Sequence, residues 1–131
     1  MPANPQESIE QIFAEDGRFP LEAVQFVREG LNQAVSRFYR ASEEPDQPRH
    51  ISGVQLCEGL RELALKRWGL MSRSVLKRWH INNTRDFGEI VFLLVKHGWM
   101  QKRPEDRIED FDEVYDFDVV FQRHFEISLD K

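Results

Sequence analysis

The stretch from Phe87 to Val95 constrains the fold most, because it is apolar on nearly every side when wound into a helix. Asn83 and Thr84, just before it, are residue types that begin helices, and Gly98, just after it, is a type that ends them. A helix that is apolar on most sides is expected to be buried. The sequence therefore predicts a central helix here, the fifth of the chain and its most buried element.

Two helices are predicted in the N-terminal part of the chain. A short helix runs from about Pro5 to Glu15 and ends at Gly17. Pro20 suits the first turn of a second, longer helix, where its missing N–H costs nothing. Apolar residues then recur at spacings of three and four, which predicts one helical stripe. The stripe consists of Leu21, Val24, Val27, Leu31, Ala34, Val35 and Phe38.

Two more helices are predicted before the central one. Ser52 and Gln55 have the spacing of a capping box, so a third helix begins there, and Gly69 ends it. A shorter fourth helix carries the apolar residues Leu70, Met71, Val75, Leu76 and Trp79. Glycine inside a helix is unfavourable unless close packing requires it. The hypothesis for Gly59 and Gly88 is that, if they face each other, they mark the crossing of the third and fifth helices.

The rest of the chain is expected to complete one domain over residues 1–131. Residues 1–4 are expected to be mobile, and residues 41–49, polar with two prolines, to form an exposed loop. After the central helix, Trp99–Ile108 predicts a small β-hairpin that turns at Pro104. The predicted fold class is mainly α, with about five helices and this hairpin.

A winged-helix-like core is an alternative description of Val75 to Phe117. Ser74–Trp79 would be the first helix of a helix-turn-helix, Thr84–His97 the recognition helix, and the hairpin the wing. In that case the candidate phosphate contacts are Lys77, Arg78, Arg85, Lys96, Lys102 and Arg103. Nucleic acid is nevertheless disfavoured, because the predicted wing is acidic and would repel phosphate.

The charge of the chain is unevenly distributed, although its net value is only −5. Residues 61–103 carry 10 basic and 3 acidic side chains, whereas residues 104–131 carry 10 acidic and 3 basic ones. This asymmetry fits a nucleic-acid surface with an acidic tail, or two regions that neutralise each other on one folded surface.

The acidic, aromatic segment near the C-terminus is the candidate surface for a protein partner. Its residues are Asp110, Phe111, Tyr115, Asp116 and Phe117. The basic helix with Lys77, Arg78 and Arg85 is the candidate neighbour of this surface. Exposed aromatic side chains in such a segment would indicate binding of a partner or self-association.

The sequence predicts no catalytic, cofactor or metal site. The histidines, at positions 50, 80, 97 and 124, lack the short spacings of zinc ligands. The acidic run from Asp106 to Asp118 lacks the glycine of a calcium-binding loop. Cys57 lies within a helix rather than at its start, and there is no nucleophile elbow or phosphate-binding glycine loop. We therefore do not expect an enzyme.

A cytoplasmic location is expected. The N-terminus lacks the basic and apolar regions of a secretory signal, and the single cysteine fits a reducing compartment. The longest apolar run, Ile90–Val95, is far shorter than the roughly 20 residues that span a bilayer.

Three segments, His50–Arg61, Asp86–Val91 and Asp110–Phe117, together resemble a family of short, uncharacterised bacterial proteins of about this length. The resemblance covers roughly residues 8–125. It implies a single small soluble bacterial domain and no particular activity. The expected function is a non-enzymatic, cytoplasmic protein-interaction domain, with a winged-helix nucleic-acid binder as the alternative.

Overall fold

A computed structural model describes residues 8–38 and 51–121. Its α-helices are α1 (Ile9–Asp16), α2 (Leu21–Phe38), α3 (Gly53–Trp68), α4 (Ser72–Arg78) and α5 (Thr84–Lys96). Short 3-10 turns lie at Gly69–Met71 and Ile108–Phe111, and residues 117–121 are helical. The mainly α prediction is confirmed. The predictions for residues 1–4 and 41–49 lie outside the described residues.

The predicted helix ends are confirmed by their hydrogen bonds. Ser52 Oγ accepts from the Gln55 N–H (3.1 Å), and Gln55 Oε1 accepts from the Ser52 N–H (3.0 Å), which completes a capping box. At α5, Asn83 Oδ1 accepts from the Asp86 N–H (3.0 Å). Gly98 follows α5 with φ of 84°, a left-handed conformation that glycine adopts without strain. Local signals in the sequence therefore place these helices.

Helices α2 and α3 pack against each other through glycine, and this corrects the predicted helix crossing. A Cβ atom at Gly59 would lie 3.0 Å from the Cβ of Ala34 and 3.1 Å from the carbonyl oxygen of Gly30, both in α2. Gly88 instead lies against Phe111. Gly59 and Gly88 are both buried, but each makes room for a different neighbour, so they do not mark a crossing of α3 and α5.

An aromatic cluster joins α2, α3, α5 and the residue that follows α4. The ring of Phe26 lies 5.0 Å from Trp68, 5.8 Å from Trp79 and 6.5 Å from Phe87, measured between centroids. Trp68 and Trp79 meet edge to face at 5.4 Å. Phe26, which lay outside the predicted stripe of α2, is only 1% exposed. It occupies the centre of the core because α2 buries a wider face than the stripe suggested.

Helix α5 is covered on nearly every side, because only Lys96 among its residues is exposed. Phe87, Ile90 and Leu94 are buried, whereas Val91 and Phe92 are only half-buried. The prediction that α5 is the most buried element is confirmed among the described helices, since each of the others has three or more exposed residues. The segment after α5 packs along it, and the ring of Phe111 lies 6.4 Å from that of Phe92.

The predicted β-hairpin at Trp99–Ile108 is absent, since the described residues contain no strand. A tight turn takes its place: Asp106 Oδ2 accepts from the Arg103 N–H (2.8 Å), and the Asp106 N–H donates to the Arg103 carbonyl (3.0 Å). Asp110 Oδ2 then accepts from the Arg107 N–H (3.0 Å). The acidic side chains satisfy backbone donors that a hairpin would have used, so a second strand does not form.

The winged-helix-like core lacks its wing for the same reason. Helices α4 and α5 do form a helix pair joined by a turn at His80, which adopts φ of 67°. In the described part of the chain, however, the segment after α5 returns to pack along that helix instead of forming a two-stranded wing. The helix pair alone does not establish a DNA-binding fold.

Candidate interaction surfaces

The C-terminal segment is anchored on the start of α5 by Thr84, which is fully buried. Its hydroxyl donates to the carbonyl oxygen of Phe111 (2.6 Å) and accepts from the N–H of Val114 (3.1 Å). One buried side chain thus satisfies two backbone groups that lie 27 and 30 residues further along the chain. This role of Thr84 was not predicted, because nothing in the local sequence distinguishes it from a surface threonine at a helix start.

The aromatic residues of the predicted partner surface belong largely to the core. Phe111 and Phe117 are 4% and 3% exposed, and the ring of Phe117 lies 5.6 Å from Phe87. Tyr115 is half-buried, and its hydroxyl donates to the carbonyl oxygen of Cys57 (2.6 Å). These rings are therefore not available as an exposed aromatic cluster, and that part of the prediction is corrected. They are internal because the segment folds back over α3 and α5.

Burial also determines the protonation of the Cys57–Tyr115 pair. Burial, with a smaller contribution from Glu58, raises the pKa of the Cys57 thiol to about 12. Burial, followed by the neighbouring Cys57 and Glu58, raises the pKa of Tyr115 well above its ordinary value. Both groups are therefore neutral at physiological pH, and Cys57 lacks the thiolate character of a nucleophile.

The two acids of the predicted partner surface, Asp110 and Asp116, are exposed, but the carboxylate of each accepts hydrogen bonds from nearby backbone N–H groups. Asp110 accepts the hydrogen bond from Arg107 described above. Asp116 Oδ1 accepts from the N–H groups of Asp118 (2.8 Å) and Val119 (3.3 Å), so it caps the helical segment 117–121. The structure therefore brings the two carboxylates to the surface and places the neighbouring aromatic rings inside.

A cleft of about 730 Å³ separates the turn between α4 and α5 from residues 112–118. Two ion pairs are formed by residues that line the cleft. Arg85 Nη1 lies 2.9 Å from Asp112 Oδ1, and Arg73 Nε lies 3.0 Å from Asp118 Oδ1. Glu113, with φ of 50°, also lines the cleft. The cleft walls thus carry paired charges, and the arrangement is that of a surface groove held together by its own side chains.

The basic residues predicted as phosphate contacts divide into two groups. Arg85 is paired with Asp112 and Glu89, Arg103 with Glu105, and Lys102 Nζ donates to backbone carbonyls. Lys77, Arg78 and Lys96 are exposed and make no ion pair within the described residues. Arg85, the one arginine of the supposed recognition helix, is therefore already neutralised by acids, which weakens the case for nucleic acid.

An exposed face of α4 and of the turn before it was not predicted. We call it the α4 face; it consists of Leu70, Met71, Ser74, Lys77 and Arg78, all exposed. At about 100° per residue, these five side chains fall within about 120° of one another around the helix axis. The buried residues Ser72 and Leu76 lie on the opposite side.

The sequence contained a signal for this face. Leu70 and Met71 are 46% and 58% exposed, although both are apolar residues of the predicted fourth helix. Their spacing from Leu76 is six and five residues, which places them away from the buried side of a helix with 3.6 residues per turn. Only Leu76 and the half-buried Val75 and Trp79 follow the core-facing pattern.

The α4 face rests on a rigid base. The buried hydroxyl of Ser72 donates to the carbonyl oxygens of Ala64 (3.0 Å) and Gly69 (2.9 Å), which fixes the start of α4 against the end of α3. Trp79, just after α4, packs into the aromatic cluster with Trp68. A surface on a well-supported helix can present its side chains in a defined arrangement.

Neither a metal site nor a membrane span is found in the described part of the chain. Residues 8–38 and 51–121 contain no group of three or more His, Cys, Asp or Glu side chains that could hold a metal ion; His50 and His124 lie outside these ranges. None of the described helices is both long and apolar enough to cross a bilayer.

Comparison with known proteins gives no relative from which a function could be carried over: no family model, no curated protein and no solved structure matches this chain.

Proposed function

We propose that the chain is a non-enzymatic protein-interaction domain of the bacterial cytoplasm, and that its partner binds the α4 face. The observation that carries this proposal is the exposure of two adjacent large apolar side chains, Leu70 and Met71, on a rigidly held helix. Adjacent apolar side chains on a surface favour burial against a partner. Methionine is also enriched at the centre of protein interfaces.

The charged part of the α4 face supports the same proposal. Lys77 and Arg78 have no ion-pair partner in the described part of the chain. They lie about two helical turns from Leu70 and Met71 on the same side of the helix, so an apolar part and a charged part adjoin on this face. Charges of this kind steer association and exclude partners of the wrong charge. A protein surface with apolar and acidic side chains would match both parts.

The nucleic-acid alternative has less support. Phosphate binding depends on several cations that together face the backbone of the nucleic acid. Of the six candidate contacts, Arg85, Lys102 and Arg103 already interact with carboxylates or carbonyls of this chain. Leu70 and Met71 would gain nothing from a phosphate surface. Nucleic acid therefore remains a possible outcome of the test rather than a second proposal.

The test is site-specific photocrosslinking in cells that contain the protein. A photoreactive amino acid replaces Met71 in one variant and Val54 in a control, because Val54 is apolar and similarly exposed (50%) but lies on α3. We expect a protein adduct from position 71 and none of the same mass from position 54. An adduct that nuclease removes would favour the nucleic-acid alternative, and identical adducts from both positions would contradict the proposal.

A further inference from the structure

A second surface with the opposite charge lies beside the α4 face. Asp116, Asp118 and Val119 are all exposed, and Val119 exposes 47% of its surface. We call these three residues the acidic edge. Like the α4 face, the acidic edge combines an exposed apolar side chain with charged ones, but its charges are negative. The two surfaces therefore have complementary chemistry.

Arg73 establishes that the two surfaces are neighbours. It lies three residues after Leu70 and four before Lys77, so on the helix it adjoins both. Its Nε lies 3.0 Å from Asp118 Oδ1, and its guanidinium lies 5.7 Å from the ring centroid of Phe117. The acidic edge is thus separated from the α4 face by one arginine side chain.

The complementary charges are satisfied only in part within one molecule, since Asp118 pairs with Arg73 and Asp116 accepts backbone hydrogen bonds. Lys77 and Arg78 make no ion pair with the acidic edge or with any other described residue, and Asp118 has only Arg73 as its ion-pair partner there. Each surface therefore keeps apolar area and charge available to solvent, although the two are adjacent. A partner that covers both would bury apolar side chains and pair the outstanding charges at once.

We infer that this partner is a second copy of the same chain. In a dimer with two-fold symmetry, the same surface of each copy forms the interface. If a residue i of one copy contacts a residue j of the other, then residue j of the first copy also contacts residue i of the second. A basic half beside an acidic half satisfies this requirement, because a two-fold rotation places the α4 face of each copy opposite the acidic edge of the other. The inference rests on the proposed function, since it identifies the partner of the same α4 face.

The experiment is sedimentation-velocity ultracentrifugation of the full chain and of two charge-reversal variants. We expect the wild type to dimerise with a dissociation constant on the order of 10 µM, which is typical of a small, partly polar interface. Arg78→Glu and Asp118→Lys should each raise the dissociation constant about tenfold or more, because each places like charges opposite one another.

Mixing the two variants provides the decisive measurement. In a heterodimer of Arg78→Glu and Asp118→Lys, one of the two symmetry-related contacts places a glutamate opposite a lysine. The other contact keeps the natural pair of Arg78 and Asp118. We therefore expect the mixture to form a heterodimer close to wild-type affinity, although neither variant dimerises well alone. A change that merely damaged the fold could not be rescued by mixing.

Matched controls reverse exposed charges elsewhere. Lys96→Glu and Glu109→Lys change the net charge by the same amounts as the test variants but lie outside both surfaces. They should leave the dissociation constant within about twofold of the wild type. Circular dichroism of every variant checks that the helical fold is retained.

The outcomes separate this inference from the proposed function. A wild-type chain that stays monomeric at concentrations of roughly 1 mM would overturn the inference, as would variants without effect or a mixture that fails to associate. If a different protein is then crosslinked through position 71, the proposed function stands and only the identity of the partner changes. If dimerisation is found and crosslinking through position 71 joins two copies, both proposals hold.

Discussion

Phe111 lies directly over Gly88, with no room between them for even a methyl group. A Cβ atom at position 88 would lie 2.7 Å from Cγ of Phe111 and 2.8 Å from its Cδ1. Gly88 thus allows the C-terminal segment to approach α5 closely enough for Thr84 to bond its backbone. The glycine in the middle of a helix is explained by this contact across 23 residues of sequence.

Gly88→Ala should destabilise the protein although alanine is the better helix former. Overpacking against the Phe111 ring costs about 1–3 kcal/mol, whereas helix propensity returns about 1 kcal/mol. We expect urea unfolding to show a net loss of stability. Ser36→Ala, at an exposed site of α2, serves as the control and should change the free energy of unfolding by less than about 0.5 kcal/mol. A Gly88→Ala variant as stable as the wild type would contradict the packing described.

Thr84→Val should also destabilise the protein, by removing a hydroxyl while keeping the side-chain shape. The carbonyl of Phe111 and the N–H of Val114 would lose their partner in a buried position, at a cost of about 1–3 kcal/mol. Thr84→Ser retains the hydroxyl and should lose less. Thermal unfolding gives the order of the three proteins. In addition, hydrogen exchange at the Val114 amide should accelerate in the valine variant alone.

The stability of the protein should decrease in alkaline solution because of Cys57. Its pKa lies at about 12 in the folded protein against an ordinary 9.0. Above pH 9.0 the unfolded chain therefore loses this proton first, so the free energy of unfolding falls as pH rises through this window.

Cys57→Ala removes this contribution. The free energy of unfolding of this variant should fall less steeply with pH than that of the wild type. The two slopes should differ by up to about 1.4 kcal/mol per pH unit. Burial, the largest cause of the raised pKa of Tyr115, is present in both proteins, so most of the contribution of Tyr115 cancels when their slopes are compared. Urea unfolding at several values between about pH 7 and 11 provides the slopes, and parallel slopes would exclude a buried, protonated thiol.

Ser72→Ala should loosen the junction between α3 and α4. The substitution leaves the carbonyls of Ala64 and Gly69 without the hydroxyl that they share, which costs about 0.5–1.5 kcal/mol. Ser74→Ala, on the exposed side of the same helix, is the matched control and should be close to neutral. Equal losses in the two variants would show that the Ser72 hydroxyl does not hold α4 in place.

The sequence predicted those features that depend on neighbours within one turn of a helix. The Ser52–Gln55 capping box, the Asn83 cap and the left-handed Gly98 all involve residues three or fewer positions apart, or a single backbone angle. Such signals act before any tertiary contact forms. They were sufficient to place the start or end of α3 and α5.

Features that depend on distant contacts could not be predicted in this way. The hydrogen bond from Tyr115 to Cys57 spans 58 residues, and the environment of Tyr115 therefore has no local signature. The same holds for Phe111, whose acidic neighbours suggested a surface position. The wrong prediction of a hairpin has a related cause. Asp106 and Asp110 accept hydrogen bonds from backbone N–H groups, and the alternation of apolar and polar residues gives no sign of these bonds.

The burial of Phe111, Phe117 and Phe121 has a consequence for the order in which the protein is made. These rings cover α5 and contact the core formed by residues much earlier in the chain. During synthesis, the apolar side of α5 leaves the ribosome before the residues that cover it exist. The apolar face of α5 therefore stays exposed in the nascent chain until residues 111–121 have been synthesised. A chain left incomplete between α5 and Phe111 would be prone to aggregate.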